Sequence, residues 1–190
     1  MKKKITTALL AIIVTTGAFA NTNPILKKVI VKESSINWTG KKVLGQHNGT
    51  IDLVSGSLEM EDDKLVGGNF VVDMTTITVT DLKAGEGKEK LEGHLNSPDF
   101  FDTANYNEAT FTITEVTESA TGYNVVGDLT IKGHTESVSV NMVVTENTAT
   151  TTFNVDRTKY GVRYGSASFF DNLKDNAISD NFELAVNLTF

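Results

Sequence analysis

The 190 residues include no cysteine, two prolines and 15 glycines, and 17 basic against 24 acidic side chains give a net charge of −7. Without cysteine there is no disulfide to staple the chain in an oxidising compartment, so packing and ladder hydrogen bonds must hold it. The acidic balance argues against a protein that gathers phosphate backbones by counterion release, and nucleic acid is not an expected partner.

The chain opens with Met1-Lys2-Lys3-Lys4, a mostly apolar run from Ile5 to Phe19, and the small-x-small triplet Ala18-Phe19-Ala20. This order predicts an export signal over residues 1–20, cleaved near Ala20, and a periplasmic or secreted destination. The run is shorter than the ~20 apolar residues of a spanning helix and is broken by Thr6, Thr7, Thr15 and Thr16, so it is not read as a membrane span. Without Lys2, Lys3 and Lys4, 14 basic residues remain against 24 acidic, a charge of −10. Residues 21–190 suit one domain.

From there the sequence alternates. Ile36 with Trp38 and Phe70 with Val72 flank a turn signal at Glu61-Asp62-Asp63-Lys64. Leu91 and Leu95, four residues apart among Lys88, Glu89, Lys90 and Glu92, predict a short amphipathic helix between Ala84 and Asn96. Ser97-Pro98 stops it, because the residue before proline avoids the helical region. Phe111 and Ile113 lie between threonines, and Ser119-Ala120-Thr121-Gly122 reads as a hairpin tip. Leu129 and Ile131 follow, then a tip at Gly133-His134-Thr135-Glu136. Val138, Val140, Met142 and Val144 alternate before Glu146-Asn147-Thr148, and Phe182, Leu184, Val186, Leu188 and Phe190 close the chain. Period-two runs between turn signals predict antiparallel strands with one apolar face. Such a sheet buries that face against a second sheet or by closing on itself; about eight strands make a barrel, which is favoured, with a sandwich left open.

Chemical motifs are sparse. His47, His94 and His134 match no metal-ligand spacing, so no metal or other cofactor is expected. There is no cysteine nucleophile and no Gly-x-Ser-x-Gly, and Gly85-Glu86-Gly87-Lys88 lacks the flanking residues of a phosphate loop. Asp171, Asp175 and Asp180 lack calcium-loop spacing. No catalytic constellation is read from these residues, and on residues alone the reading stops at an exported β-barrel or sandwich. Alternation alone favours a solid core over a hollow one, since both use the same residues.

Four ordered segments say more. They are Trp38-Thr39-Gly40 with Gly45-Gln46-His47-Asn48-Gly49-Thr50-Ile51; Gly68-Asn69-Phe70-Val71-Val72-Asp73-Met74-Thr75-Thr76-Ile77; Lys90-Leu91-Glu92-Gly93-His94-Leu95-Asn96-Ser97-Pro98-Asp99-Phe100-Phe101-Asp102 with Tyr106 and Ala109-Thr110-Phe111; and Gly127-Asp128-Leu129-Thr130-Ile131-Lys132-Gly133 with Asp156-Arg157 and Tyr160-Gly161-Val162. A matching end follows at Asp180-Asn181-Phe182-Glu183-Leu184. In this order the chain resembles the YceI-like, polyisoprenoid-binding family, departing from it at Asn107, where the family usually has proline, and in the acidic loop from Asp171 to Asp175.

The resemblance implies an all-β, lipocalin-like antiparallel barrel of about eight strands with a short α-helix packed on it. It implies a soluble exported protein that holds a polyisoprenoid or quinone-like lipid in an elongated pore, and it leaves room for a homodimer. The expected function is binding and not catalysis, with a filled-core structural or partner-binding barrel and an enzyme acting on isoprenoids as the alternatives to a lipid binder. Inward residues for the tail are then Ile36, Trp38, Phe70, Val72, Phe111, Ile113, Leu129, Ile131, Val140, Met142, Phe182, Leu184 and Val186. Candidates for the head group are His47, His94, Arg157 and Arg163, with a structural ion pair to Asp156 or Asp180 as the alternative for each arginine. Asp73 is expected to anchor a turn.

Overall fold

Alternation becomes strand in the computed structural model, which describes residues 24–190. The export signal expected over residues 1–20 lies outside the described residues. In chain order the strands are β1 (Ile25–Lys28), β2 (Ser35–Lys42), β3 (Gly45–Glu61), β4 (Lys64–Val79), β5 (Glu108–Ser119), β6 (Gly122–Ile131), β7 (His134–Val144), β8 (Thr148–Asp156) and β9 (Ile178–Thr189). A single α-helix among the described residues, α1 (Lys88–Asn96), falls between β4 and β5.

All pairings are antiparallel. From β2 the sheet runs through β9, β8, β7, β6, β5 and β4, and β4 returns to β3, which pairs with β2. The eight strands β2–β9 thus close into a barrel, and closure removes the edges that an open sheet would expose. The sandwich alternative is excluded by that ring of pairs. β3 is long enough to hold two partners on one side: its Gly45–Ile51 half pairs with β2, and Ser57–Met60 pairs with the extra strand β1.

Turn chemistry sets the hairpins. Asp62 and Asp63 both take positive φ between β3 and β4, at 48° and 62°, the geometry of a tight two-residue hairpin turn. The β6–β7 tip differs from the expectation: it is Lys132-Gly133, with φ of 50° and 74°, so His134, Thr135 and Glu136 already belong to β7. The glycine supplies the left-handed conformation one residue earlier than its polar neighbours suggest. Helix α1 begins four residues later than the expected start at Ala84, because Gly85 and Gly87 both have positive φ. It ends as expected, with Ser97 extended before Pro98 and its N–H donating to the His94 carbonyl at 3.1 Å.

Asp73, expected at a turn, instead lies inside β4 and anchors a bulge. Its carboxylate accepts from the Thr75 N–H at 2.9 Å and the Thr75 hydroxyl at 2.6 Å, while the Thr76 hydroxyl donates to the Asp73 carbonyl at 2.7 Å. These bonds hold a bulge in β4, where the β3 register slips between Thr50 and Asp52.

The barrel is packed at one end and open at the other. Towards the β3–β4 hairpin, Leu58, Met60, Leu65, Ile113 and Val125 are buried and fill the interior. Gly68 lets Leu58 and Ile113 approach the wall, since a Cβ there would lie 3.1 Å from Leu58 Cδ2 and 3.2 Å from Ile113 Cδ1.

Candidate functional site: an apolar cavity with a polar mouth

Away from that filled end the interior is hollow. A cavity of about 570 Å³ runs along the barrel, within the size range of small-molecule sites. On β9 its wall extends from Ile178 through Phe182, Leu184 and Val186 to Leu188, about 33 Å of strand at ~3.3 Å per residue. The site is elongated because it follows the strands, each of which presents every second side chain to it.

Twelve of the thirteen residues expected for a tail line this cavity. Ile36 and Trp38 come from β2, Phe70 and Val72 from β4, Phe111 from β5, Leu129 and Ile131 from β6, Val140 and Met142 from β7, and Phe182, Leu184 and Val186 from β9. Ile113 does not; it is buried in the filled end, two residues further along β5 than Phe111. Alternation assigns a face but not a depth, so it could not separate Ile113 from Phe111. Ile51, Leu53, Met74, Ile77 and Phe153 also line the wall; Ile51 and Leu53 alternate in the sequence, whereas Met74 and Ile77 are three residues apart across the β4 bulge. Leu91, Leu95, Phe101 and Tyr164 join through α1 and the loops, where strand periodicity carries no information.

Polar groups collect at the mouth. Lys41, Lys42, His47, Lys90, His94, Ser179 and Asn181 all border the cavity. His47 Nδ1 lies 2.8 Å from Asp81 Oδ2, and the Asn48 N–H donates to Asp81 Oδ1 at 3.1 Å. A carboxylate at Nδ1 makes that nitrogen the donor and leaves Nε2 an acceptor in the neutral ring. Burial pushes the Asp81 carboxyl up, but the hydrogen bonds from Asn48 and His47 outweigh it and hold the group below its usual range.

His94 is positioned by α1 between two aromatic rings, Tyr164 at 4.4 Å and Phe100 at 5.3 Å between centroids, both edge-on. Its Nε2 is buried without a hydrogen-bond partner in the protein, as is Thr151 Oγ1 further along the cavity wall. An unpartnered buried polar atom costs about 1–3 kcal/mol, so each stands ready for a ligand or water.

The two arginines are placed differently. Arg157 is 2 % exposed; its Nε donates to the Ser179 carbonyl at 2.9 Å, one terminal nitrogen to Val162 at 2.9 Å and the other to Ile178 at 3.1 Å. The last nitrogen is also 3.6 Å from Asp180. Arg157 borders the cavity, but its donors are committed to the wall. Arg163 is exposed, does not border the cavity, and stacks over Phe169 with its guanidinium carbon 4.6 Å from the ring centroid. Among the described residues, no three His, Asp or Glu side chains gather as a metal site.

A family model for the YceI-like domain matches residues 28–190. The chain belongs to the YceI-like family. Among curated relatives, a UPF0312 protein of Photorhabdus laumondii is 41% identical over 93 residues, covering 49% of this chain and 46% of the relative. Protein YceI of Escherichia coli O17:K52:H18 is 33% identical over 72 residues, 38% of each chain. The matches thus span less than half the length of these relatives.

Among solved structures, BcnA of Burkholderia cenocepacia superposes with a TM-score of 0.70 at 21% identity, covering 85% of this chain and 99% of that one. A polyisoprenoid binding domain from Saccharophagus degradans superposes at 0.58 with 16% identity, covering 85% and 95%. At these identities the likeness is one of fold. Its extent agrees with the closed eight-stranded barrel and the one α-helix seen among the described residues of this YceI-like chain.

Proposed function

We propose that this YceI-like protein is an exported carrier that holds the tail of a polyisoprenoid or isoprenoid-quinone-like amphiphile inside its barrel. The observation that carries this reading is the long cavity, whose wall is apolar over its length and polar at one end. Each methylene transferred from water into it contributes about 0.8 kcal/mol, so a long tail is held without any specific polar contact. Trp38, Phe111, Phe182 and their neighbours bind the tail. The head group sits at the mouth, where His47 and His94 offer imidazole nitrogens and Lys41, Lys42 and Lys90 offer ammonium groups. Arg157 keeps the mouth in shape from behind the wall. The name of the Saccharophagus domain, a polyisoprenoid binding domain, supports this ligand class. The reading is of binding and not of catalysis, with residues 1–20 removed on export.

Native mass spectrometry of protein purified from the periplasm of a bacterial host, with lipid extraction alongside, tests this. The expected result is a mass beginning near Asn21 and a stoichiometric adduct that extracts as a polyprenyl species or quinone. A clean apo mass, unchanged after incubation with isoprenoid quinones and polyprenyl phosphates, overturns the reading.

A further inference from the structure

The rim of the mouth is more apolar than the surface of a soluble barrel requires. The two-residue tip between β2 and β3 is Val43-Leu44, 58% and 75% exposed, at positions where tight hairpins usually place Gly, Asn or Asp. Tyr164, Phe169 and Phe170, on the loop after β8, are 50%, 47% and 51% exposed. The tip and the loop region meet: the Val43 N–H donates to the Ala177 carbonyl at 3.3 Å, and a shallow hollow between them is shared by Val43, Ala167 and Ala177. Both border the cavity, through Lys41 and Lys42 on one side and Tyr164 on the other.

The aromatic loop is held in place. Ser166 is fully buried, its carbonyl accepts from the N–H groups of Phe169 and Phe170 at 3.2 and 3.0 Å, and the Ser168 hydroxyl bonds Asp180 at 2.5 Å. Phe169 and Phe170 are therefore presented outward by an anchored loop.

From this juxtaposition we infer that the cavity mouth docks on a phospholipid bilayer, with Val43, Leu44, Phe169 and Phe170 inserted at the interface. The inference rests on the carrier reading, because an amphiphile with a long apolar tail resides in a bilayer and must leave it where the cavity opens. The chemistry fits a lipid surface. Aromatic rings and aliphatic tips bury in the interfacial layer while Lys41, Lys42 and Arg163 reach back to phosphates. The same loop carries Asp171 and Asp175, so apolar burial and not net charge drives the contact. Docked this way, a tail passes from bilayer to cavity without crossing water.

Co-sedimentation with vesicles of phosphatidylethanolamine and phosphatidylglycerol tests this, using exported protein whose mass shows residues 1–20 to be absent. In parallel, quenching of Trp38, the sole tryptophan of the chain and part of the cavity wall, reports uptake of a short-chain isoprenoid quinone from solution. Wild type is expected to partition onto vesicles. The double variant Leu44→Ser/Phe170→Ser is expected to lose partitioning by roughly tenfold or more with quinone uptake unchanged, which also shows that it is folded. Leu44→Trp, read by sedimentation alone, is expected to strengthen partitioning. Quinone uptake by a wild type that stays off vesicles, or equal partitioning of the double variant, overturns the docking while leaving the carrier reading intact. Vesicle partitioning that the double variant loses, without any quinone uptake, supports docking and counts against the carrier reading.

Discussion

At the scale of single residues, the mouth depends on a few polar groups whose partners fix their ionisation. Burial pushes the Asp180 carboxyl up, but the hydroxyls of Ser166 and Ser168 and the charge of Arg157 together bring it below its usual value; Asp81 is lowered in the same net sense. A carboxyl whose pKa is depressed by folding contributes stability above its unfolded pKa, about 3.9, and loses it as pH falls through the lower folded value. The melting temperature is therefore expected to hold between about pH 7 and pH 5 and to fall below about pH 4. Asp180→Asn is expected to melt lower than wild type near neutrality and to show a shallower acid decline. Thermal melts across that range check this, and an undiminished decline in the variant would remove Asp180 from the account. Tyr160 shifts the other way: burial, with help from the charges of Glu136 and Asp156, pushes its hydroxyl up to about 12. Its contribution is present below about pH 10 and is lost as pH climbs towards the folded value.

At the scale of elements, the narrow approach of β2, β3 and β4 is set by a glycine. A Cβ at Gly49 would lie 1.8 Å from the Thr78 carbonyl oxygen and 2.6 Å from the Trp38 ring. Any side chain there pushes β4 away or displaces the indole from the cavity wall. Gly49→Ala is expected to destabilise the barrel by at least ~2 kcal/mol, a drop of roughly 4–8 °C in melting temperature for a domain of this size. Calorimetry decides it, and an unchanged melt would mean the strands can yield. The weakest seam lies elsewhere. β7 and β8 share only the pairs Met142–Thr151, Val143–Thr150 and Val144–Ala149, whereas β8 pairs with β9 over the whole of Thr148–Asp156. Near the mouth the turn Arg157–Tyr160 packs against β7 in place of further ladder bonds.

At the scale of the molecule, the hollow is what separates a carrier from a solid barrel. Ala109 is small, buried and part of the cavity wall, beside its strand neighbour Val72, so a larger side chain there has empty space to enter. Ala109→Trp is expected to fill the bore and lower quinone uptake roughly tenfold or more, with a melting temperature at or above that of wild type. Uptake at the wild-type level would place the ligand elsewhere. If uptake and stability fall together, the bore is tighter than its volume indicates.

Much of this was legible in the sequence, for a definite reason. A strand fixes its side chains to alternate faces, so Ile36, Trp38, Phe182 and Leu184 announced their inward orientation through local spacing alone. Asp62-Asp63 and Ser97-Pro98 carried backbone preferences that act within a few residues, which is why the β3–β4 turn and the end of α1 came where expected, whereas the β6–β7 tip fell earlier than expected, at Lys132-Gly133. Depth along the barrel is not local. Whether Ile113 meets a filled end or Phe111 an open bore depends on what β3, β4 and β6 bring opposite them. Nor could spacing show that Arg157 binds carbonyls of residues 162, 178 and 179, or that Val43-Leu44 stands beside Phe169-Phe170. The sequence by itself determined the faces, most of the turns and the family; only the pairing of β2 with β9, about 150 residues apart, decided that the apolar faces enclose space, because a cavity belongs to all the strands at once and to none alone.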